Sequence, residues 1–276
     1  MSAENIPVPI AEEYDYLSIH ASFAATEYGR ALSESVRYDK YRPSHVTHER
    51  WQELLGPDVN NLNHLVDTYH LSSDFIGHTD RLQPGLLSPR DKAVIKVGAV
   101  IHDWGESILP DINYFEKTEA DEAAEIQVFN DNLANFYPAA DPEVQDLIAE
   151  ATTEVIFDRE SRLGGIFNVI ERIGYLRTGL KANQHAREGT AADCEDYLRW
   201  LGASVMSSDH ITHLIEKGDE LSAAHHFLDS RETEITQGFE DADPAIFAAF
   251  RPDEAPERVL GLEASHFVWE TWRARA

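Results

Sequence analysis

Apolar residues recur at three- and four-residue intervals along nearly the whole chain, and alternating apolar–polar runs are scarce, so helices must bury the core. The pattern predicts an all-α fold. A first helix is expected over residues 11–38, stopped by Arg42-Pro43-Ser44. After the Gly56-Pro57 break a second runs over 59–79, with Leu62, Val66, Tyr69 and Phe75 or Ile76 facing inward. Gln83-Pro84-Gly85 is a turn, after which Ser88 reads as an N-cap and Pro89 as the first helical residue. That helix carries Val94, Val97, Gly98 and Ile101 towards Gly105. Further helices are expected over 117–136, 142–156, 161–181, 192–205, 208–226, 230–239 and 255–273. The break near Gly189-Thr190 divides the chain into a helical body, 1–184, and a helical C-terminal extension, 185–276, packed on it. A chain of 276 residues is long enough for the core this requires.

Charge narrows the partners. Lys and Arg number 23 against 50 Asp and Glu, a formal net charge of −27. An extended nucleic-acid groove needs clustered cations, and docking on anionic lipid needs a basic face; neither is expected. A small anionic substrate fits only if a metal ion or a few local cations hold it. Cys194 is the only cysteine, which excludes an internal disulfide and a cysteine-based zinc site. Met1 to Ile10 has neither the basic nor the apolar region of a secretory signal, and no apolar run approaches the ~20 residues that span a bilayer. The expected location is cytoplasmic.

The chemistry is concentrated in His102-Asp103-Trp104-Gly105-Glu106. His102 lies one turn after Gly98 and Ile101 one turn after Val97, so the pair emerges from the inward side of an apolar helix. An ionised Asp there is costly unless paired or bound to a metal. Alone, the pair reads as a helix-terminal hydrogen bond; its surroundings favour more. His70 lies one turn after Val66 on a second helix, and Glu171 one turn after Phe167 on a third. Two imidazoles and two carboxylates from three helices can surround one divalent ion and leave positions open for water and substrate. This donor set suits Mn, Fe, Co, Ni or Zn; Mg, which prefers oxygen ligands, is a poorer match. His64 falls on a different face from His70 and reads as structural. His45 and His48 flank a helix start as surface or capping residues, and His78 reads as a polar-face residue or a lining of the cavity mouth. His225 and His226 point in different directions on one helix, His226 packing with Phe227. His210 and His213 have a metal-compatible spacing but no third ligand nearby.

These residues resemble the signature of the HD-domain metal-dependent phosphohydrolase superfamily: a His, then an adjacent His-Asp, then a later Asp, all on helices. The resemblance covers residues 64–181. Glu106, Asp111 in Pro110-Asp111-Ile112, and Lys117 are similar to the HDxxE…GDI…K arrangement of the branch containing 5′-deoxynucleotidases and related HD nucleotidases. The resemblance implies an HD-domain-like helical bundle with His70, His102 and Asp103 as metal ligands. Glu171 stands where the family usually has its last Asp, with Asp158 as the fallback, and Pro110 replaces the usual Gly. Glu106 and Asp111 would be the catalytic acids near the attacking water or leaving oxygen, and Lys117 would face the phosphate. Trp104 and Arg172 complete the substrate-binding set: Trp104 would wall the site or stack a base, with core filling as its alternative, and Arg172 would contact phosphate, with an exposed ion pair as its alternative. The activity implied is hydrolysis of a phosphate ester of a small phosphorylated metabolite, with a (deoxy)nucleotide first among candidates. A degenerate HD module that binds a nucleotide or protein partner without turnover is the alternative. A di-iron oxygenase of the same scaffold ranks lower, because it needs extra histidines before the final acid and none occurs from Trp104 to Gln184. The superfamily's habit of pairing through helices adds a homodimer to the expectations.

Overall fold

Helices joined by short turns make up the computed structural model, which describes residues 15–107, 118–136, 140 and 142–275, with the backbone alone at 119 and 122. Among the described residues there is no strand, only an isolated antiparallel bridge between Val36 and Asn60. The all-α expectation holds.

The single helix expected over 11–38 is two, α1 (Leu17–Ala24) and α2 (Glu27–Glu34), because Thr26 turns extended and its hydroxyl caps α2 by accepting from the Gly29 amide. Beyond α2 the chain straightens, and the Arg37 amide donates to the Val59 carbonyl at 2.6 Å. Tyr38 follows in the left-handed region at φ 61°. The helix start expected between His45 and His48 is that of a short helix, α3 (His48–Leu55), capped by Thr47.

α4 (Asn61–Leu82) starts at an Asn60 N-cap. Its buried residues are Asn61, Leu65, Thr68, Ser72, Phe75, Ile76 and Thr79, whereas Leu62, Val66 and Tyr69 are only half-buried. The inward face is therefore rotated from the one the large apolar residues suggest. Small hydroxyl side chains let neighbouring helices approach, and the Thr79 hydroxyl satisfies itself on the Phe75 carbonyl at 2.9 Å.

α5 (Pro89–Ile101) has the predicted start, a reciprocal capping box between Ser88 and Asp91 with Pro at the first turn. It stops at Ile101, short of the expected Gly105; His102 is its C-cap, and Trp104–Glu106 tighten into a 3₁₀ turn. α6 (Glu119–Phe136) and α7 (Pro142–Ala151) follow, the latter running into a wide π turn at Thr152–Phe157. α8 (Arg162–Glu188) begins at a Ser161 cap and ends at Gly189, whose φ of 66° suits glycine. The proposed boundary at 184/185 therefore falls inside a helix. The remaining helices are α9 (Glu195–Met206), α10 (His210–Gly218), α11 (Ser222–Ser230), α12 (Glu232–Asp241), α13 (Ala245–Phe250) and α14 (Ala255–Arg273), so the run expected over 208–226 is broken at Asp219–Leu221.

α8 is the spine: α4 packs on one side and α9 on another, while α5 sits between α4 and α7. Glycine permits the closest approaches. A Cβ at Gly98 of α5 would meet Val155 at 2.7 Å, and one at Gly179 of α8 would meet Val205 of α9 at 2.6 Å. The buried apolar cluster runs from Tyr16 to Trp269, across the 184/185 line. Cys194, at the foot of α9, is buried and free. No helix among the described residues is long and apolar enough to cross a membrane.

Candidate metal centre

The end of α5 delivers His102 and Asp103 side by side. His102 Nδ1 lies 3.0 Å from the Ala99 carbonyl, which can only accept, so Nδ1 is the donor there and Nε2 is the ring atom turned to the trio. That Nε2 is 3.2 Å from His64 Nε2 and 3.3 Å from Asp103 Oδ1, and His64 Nε2 is 3.7 Å from Asp103 Oδ2. One ligand atom from each of the three residues lies within 4.8 Å of the others, a spread that could hold a metal ion. Burial, then the Arg37 cation and His102, hold the His64 imidazole well below its usual pKa, so it is neutral as a metal ligand must be. The C-terminal end of α5 adds its partial negative charge at the same point.

Beside this trio stands the Arg37 guanidinium with its supports. Arg37 Nη1 bonds Asp103 Oδ2 at 3.1 Å. The guanidinium lies 5.7 Å from the ring centre of Tyr38 and 5.6 Å from that of Tyr175. Burial opposes its charge, but Tyr38, Tyr175, Asp103 and Glu106 outweigh this and raise its pKa. Asn61, fully buried, donates from Nδ2 to Glu106 Oε2 at 3.1 Å and to Ser35 Oγ at 3.2 Å. Phe167 of α8 sets its ring edge-on to His102 at 5.4 Å. A cavity of about 10 Å³ opens here, lined by Arg37, Asp58, His64, Glu171 and Tyr175 among others. That is room for one water or one ion. Burial and then the nearby Asp67 raise the Asp58 pKa, against the opposing pull of Arg37 and Arg177.

Of the residues expected to form the site, His102 and Asp103 meet as anticipated, and Glu106 stands beside them. His70 does not join them: it is exposed, on another face of α4, against the Tyr69 ring at 5.4 Å. The rotation of α4 puts His64 in its place, and the structural role expected for His64 is corrected accordingly. Glu171 lines the same cavity but stands apart from the trio, with its carboxylate 4.0 Å from Arg159. Asp158 caps the turn before α8, accepting from the Ser161 amide at 3.1 Å, as its setting implied. Trp104 binds nothing at the centre: it is fully buried, stacked on Phe23 at 4.4 Å between ring centres. Arg172 turns away to Asp209 at 2.5 Å and Asn168 at 3.0 Å. Asp111 and Lys117 lie outside the described residues.

Sequence reasoning missed His64, Arg37, Asn61 and Tyr175. The Asn60 cap and the one-turn spacing of His64 and Thr68 mark the inward face of α4, and Thr68 Oγ1 indeed lies 3.3 Å from His64 Nε2. Arg37 left no comparable signal, because it reaches the centre from an extended segment with no periodicity to read. No protein-family model, no curated protein and no solved structure matches this chain.

Proposed function

We propose that this protein is a metal-dependent phosphohydrolase acting on a small phosphorylated metabolite, a nucleotide first among candidates, with one divalent ion held by His64, His102 and Asp103. The observation that carries the reading is the convergence of these three side chains from α4 and the end of α5. Two imidazole nitrogens and one carboxylate fit a transition metal and leave coordination positions open. When bound, such an ion supplies a Lewis acid and acidifies a coordinated water.

The chain's own residues then have separate tasks. Arg37 holds Asp103 in orientation and presents a planar cation suited to non-bridging phosphate oxygens. In a chain of net charge −27 that local cation is what makes room for a dianion. The rings of Tyr38 and Tyr175 both lie within cation–π reach of the guanidinium. Glu106, oriented by Asn61, is the carboxylate placed to take a proton from water or return one to the leaving oxygen.

The test combines metal content with phosphate release from a panel of phosphorylated metabolites under Mn, Co, Ni and Mg. About one equivalent of metal per chain is expected. His64→Ala, His102→Ala and Asp103→Ala each lose metal and turnover, whereas His70→Ala keeps both. Arg37→Met keeps the metal and loses about 10²–10³ in kcat, the scale of removing one oriented charge-stabilising donor. Full metal content and turnover in His64→Ala would overturn the reading.

A further inference from the structure

We propose that a cleft between the α1–α2 pair and α6 is a second site, which binds an uncharged molecule of the nucleoside class: a heteroaromatic ring with an amino donor, joined to a hydroxylated group. The cleft follows from how these helices are propped. Phe23 of α1 stacks on Trp104 at 4.4 Å, and Phe136 of α6 meets the same ring edge-on at 5.3 Å. Both helices therefore rest on the Trp104–Glu106 turn, and a space of about 550 Å³ is left between them. Small-ligand sites occupy roughly 300–1,000 Å³. The cavity at the metal centre is about 10 Å³, and among the described residues the two share no lining residue.

The lining selects the ligand. Ile19, Phe23 and Phe136 give an apolar, largely aromatic floor suited to a flat ring. Asn132, which also lines the cleft, is 3 % exposed. Its Nδ2 donates to the Trp104 carbonyl at 2.8 Å and to Ser107 Oγ at 3.0 Å. The carbonyl can only accept, so the amide cannot be turned round, and its Oδ1 stays buried with no partner among the described residues. A buried acceptor of this kind calls for a donor, and an amino group on the ring supplies one. At the rim stand the exposed Ser22 of α1 and Glu27 in the first turn of α2. A carboxylate there accepts from sugar-like hydroxyls, as acidic side chains do from ribose. Among the described residues no arginine, lysine or histidine lines the cleft. Nothing in it offsets the charge of a phosphate, and Glu27 repels one, so the ligand is unphosphorylated and distinct from a substrate of the metal centre.

Calorimetric titration of the full chain in EDTA tests this, because binding in the cleft needs no metal and is read apart from any hydrolysis. Adenosine, cytidine and guanosine are the probes, and at least one binds with about one equivalent per chain. The analogue of that nucleoside lacking the ring amino group binds about tenfold more weakly, the scale of one lost hydrogen bond. Its 5′-monophosphate is weaker by at least as much. Ser22→Trp fills the cleft from an exposed position, so it abolishes binding while the thermal unfolding curve stays in place. Glu27→Gln weakens the nucleoside several-fold and leaves the free base, which has no hydroxyls, unchanged. Silence from all three nucleosides would overturn the proposal. So would a monophosphate or a deaminated analogue that binds as tightly as the nucleoside, or undiminished binding by Ser22→Trp or Glu27→Gln.

Discussion

Trp104 follows Asp103 directly, yet adjacent residues on a tight turn point to opposite destinations. Its ring lies on Phe23 with Phe136 edge-on, deep in the core, while the Asp103 carboxylate turns to Arg37 and His64. Trp104→Ala is therefore expected to cost about 3–5 kcal/mol of stability, the range for emptying a large aromatic site. Urea unfolding measures this, and Trp104→Phe should recover much of it. A loss confined to substrate affinity would contradict the placement. The same contrast shows what can be read from residue order. His102 and Asp103 were legible because they are adjacent and close an apolar helix. His64 was not, because its face of α4 is buried with Thr68, Ser72 and Thr79, residues that hydropathy counts as surface. Arg37 is charged and near no motif; only tertiary packing gives it a role.

At the scale of elements, the centre depends on how α5 is held. Its Ser88–Asp91 capping box fixes one end, and the contact of Gly98 with Val155 fixes its height against the π turn. Gly98→Ala would put a methyl 2.7 Å from Val155 and is expected to destabilise by about 1–3 kcal/mol, as overpacking does. The metal dissociation constant should rise with it, since the shift reaches His102 one turn away. Gly77→Ala on α4 is the control: it meets nothing within 4 Å and should stabilise by about 1 kcal/mol. Thermal unfolding and metal titration of the two variants distinguish helix propensity from packing. The starts of α5 and α8 and the whole of α14 were readable because caps and prolines act locally. The break between α1 and α2 was not: Thr26 caps a helix inside an apolar run that otherwise looks continuous.

Across the whole molecule, α8 joins the centre to the C-terminal helices. Tyr175 faces Arg37 on one side and stacks on His210 of α10 on the other, at 5.1 Å and 11°. Burial, then the nearby Arg172, lowers the His210 pKa to about 3. In the unfolded chain a histidine titrates near ~6.5, so between these values the unfolded state binds the extra proton and acid favours unfolding. Stability should fall as pH drops below ~6.5, by up to about 1.4 kcal/mol per pH unit from this group. Denaturant titrations from pH 7 to pH 4 measure the slope, and His210→Phe, which keeps the stack, should reduce it by this group's share, the buried His64 keeping the remainder. Long-range organisation of this kind left no trace in the residue order, because it depends on α10 folding back over α8. The lone thiol of Cys194 lies at the start of α9, and burial pushes its pKa up to about 11. A maleimide or disulfide reagent at neutral pH should therefore find no target in the native protein and one full equivalent in denaturant. The rate of slow native labelling then reports how often the start of α9 opens, with no introduced probe.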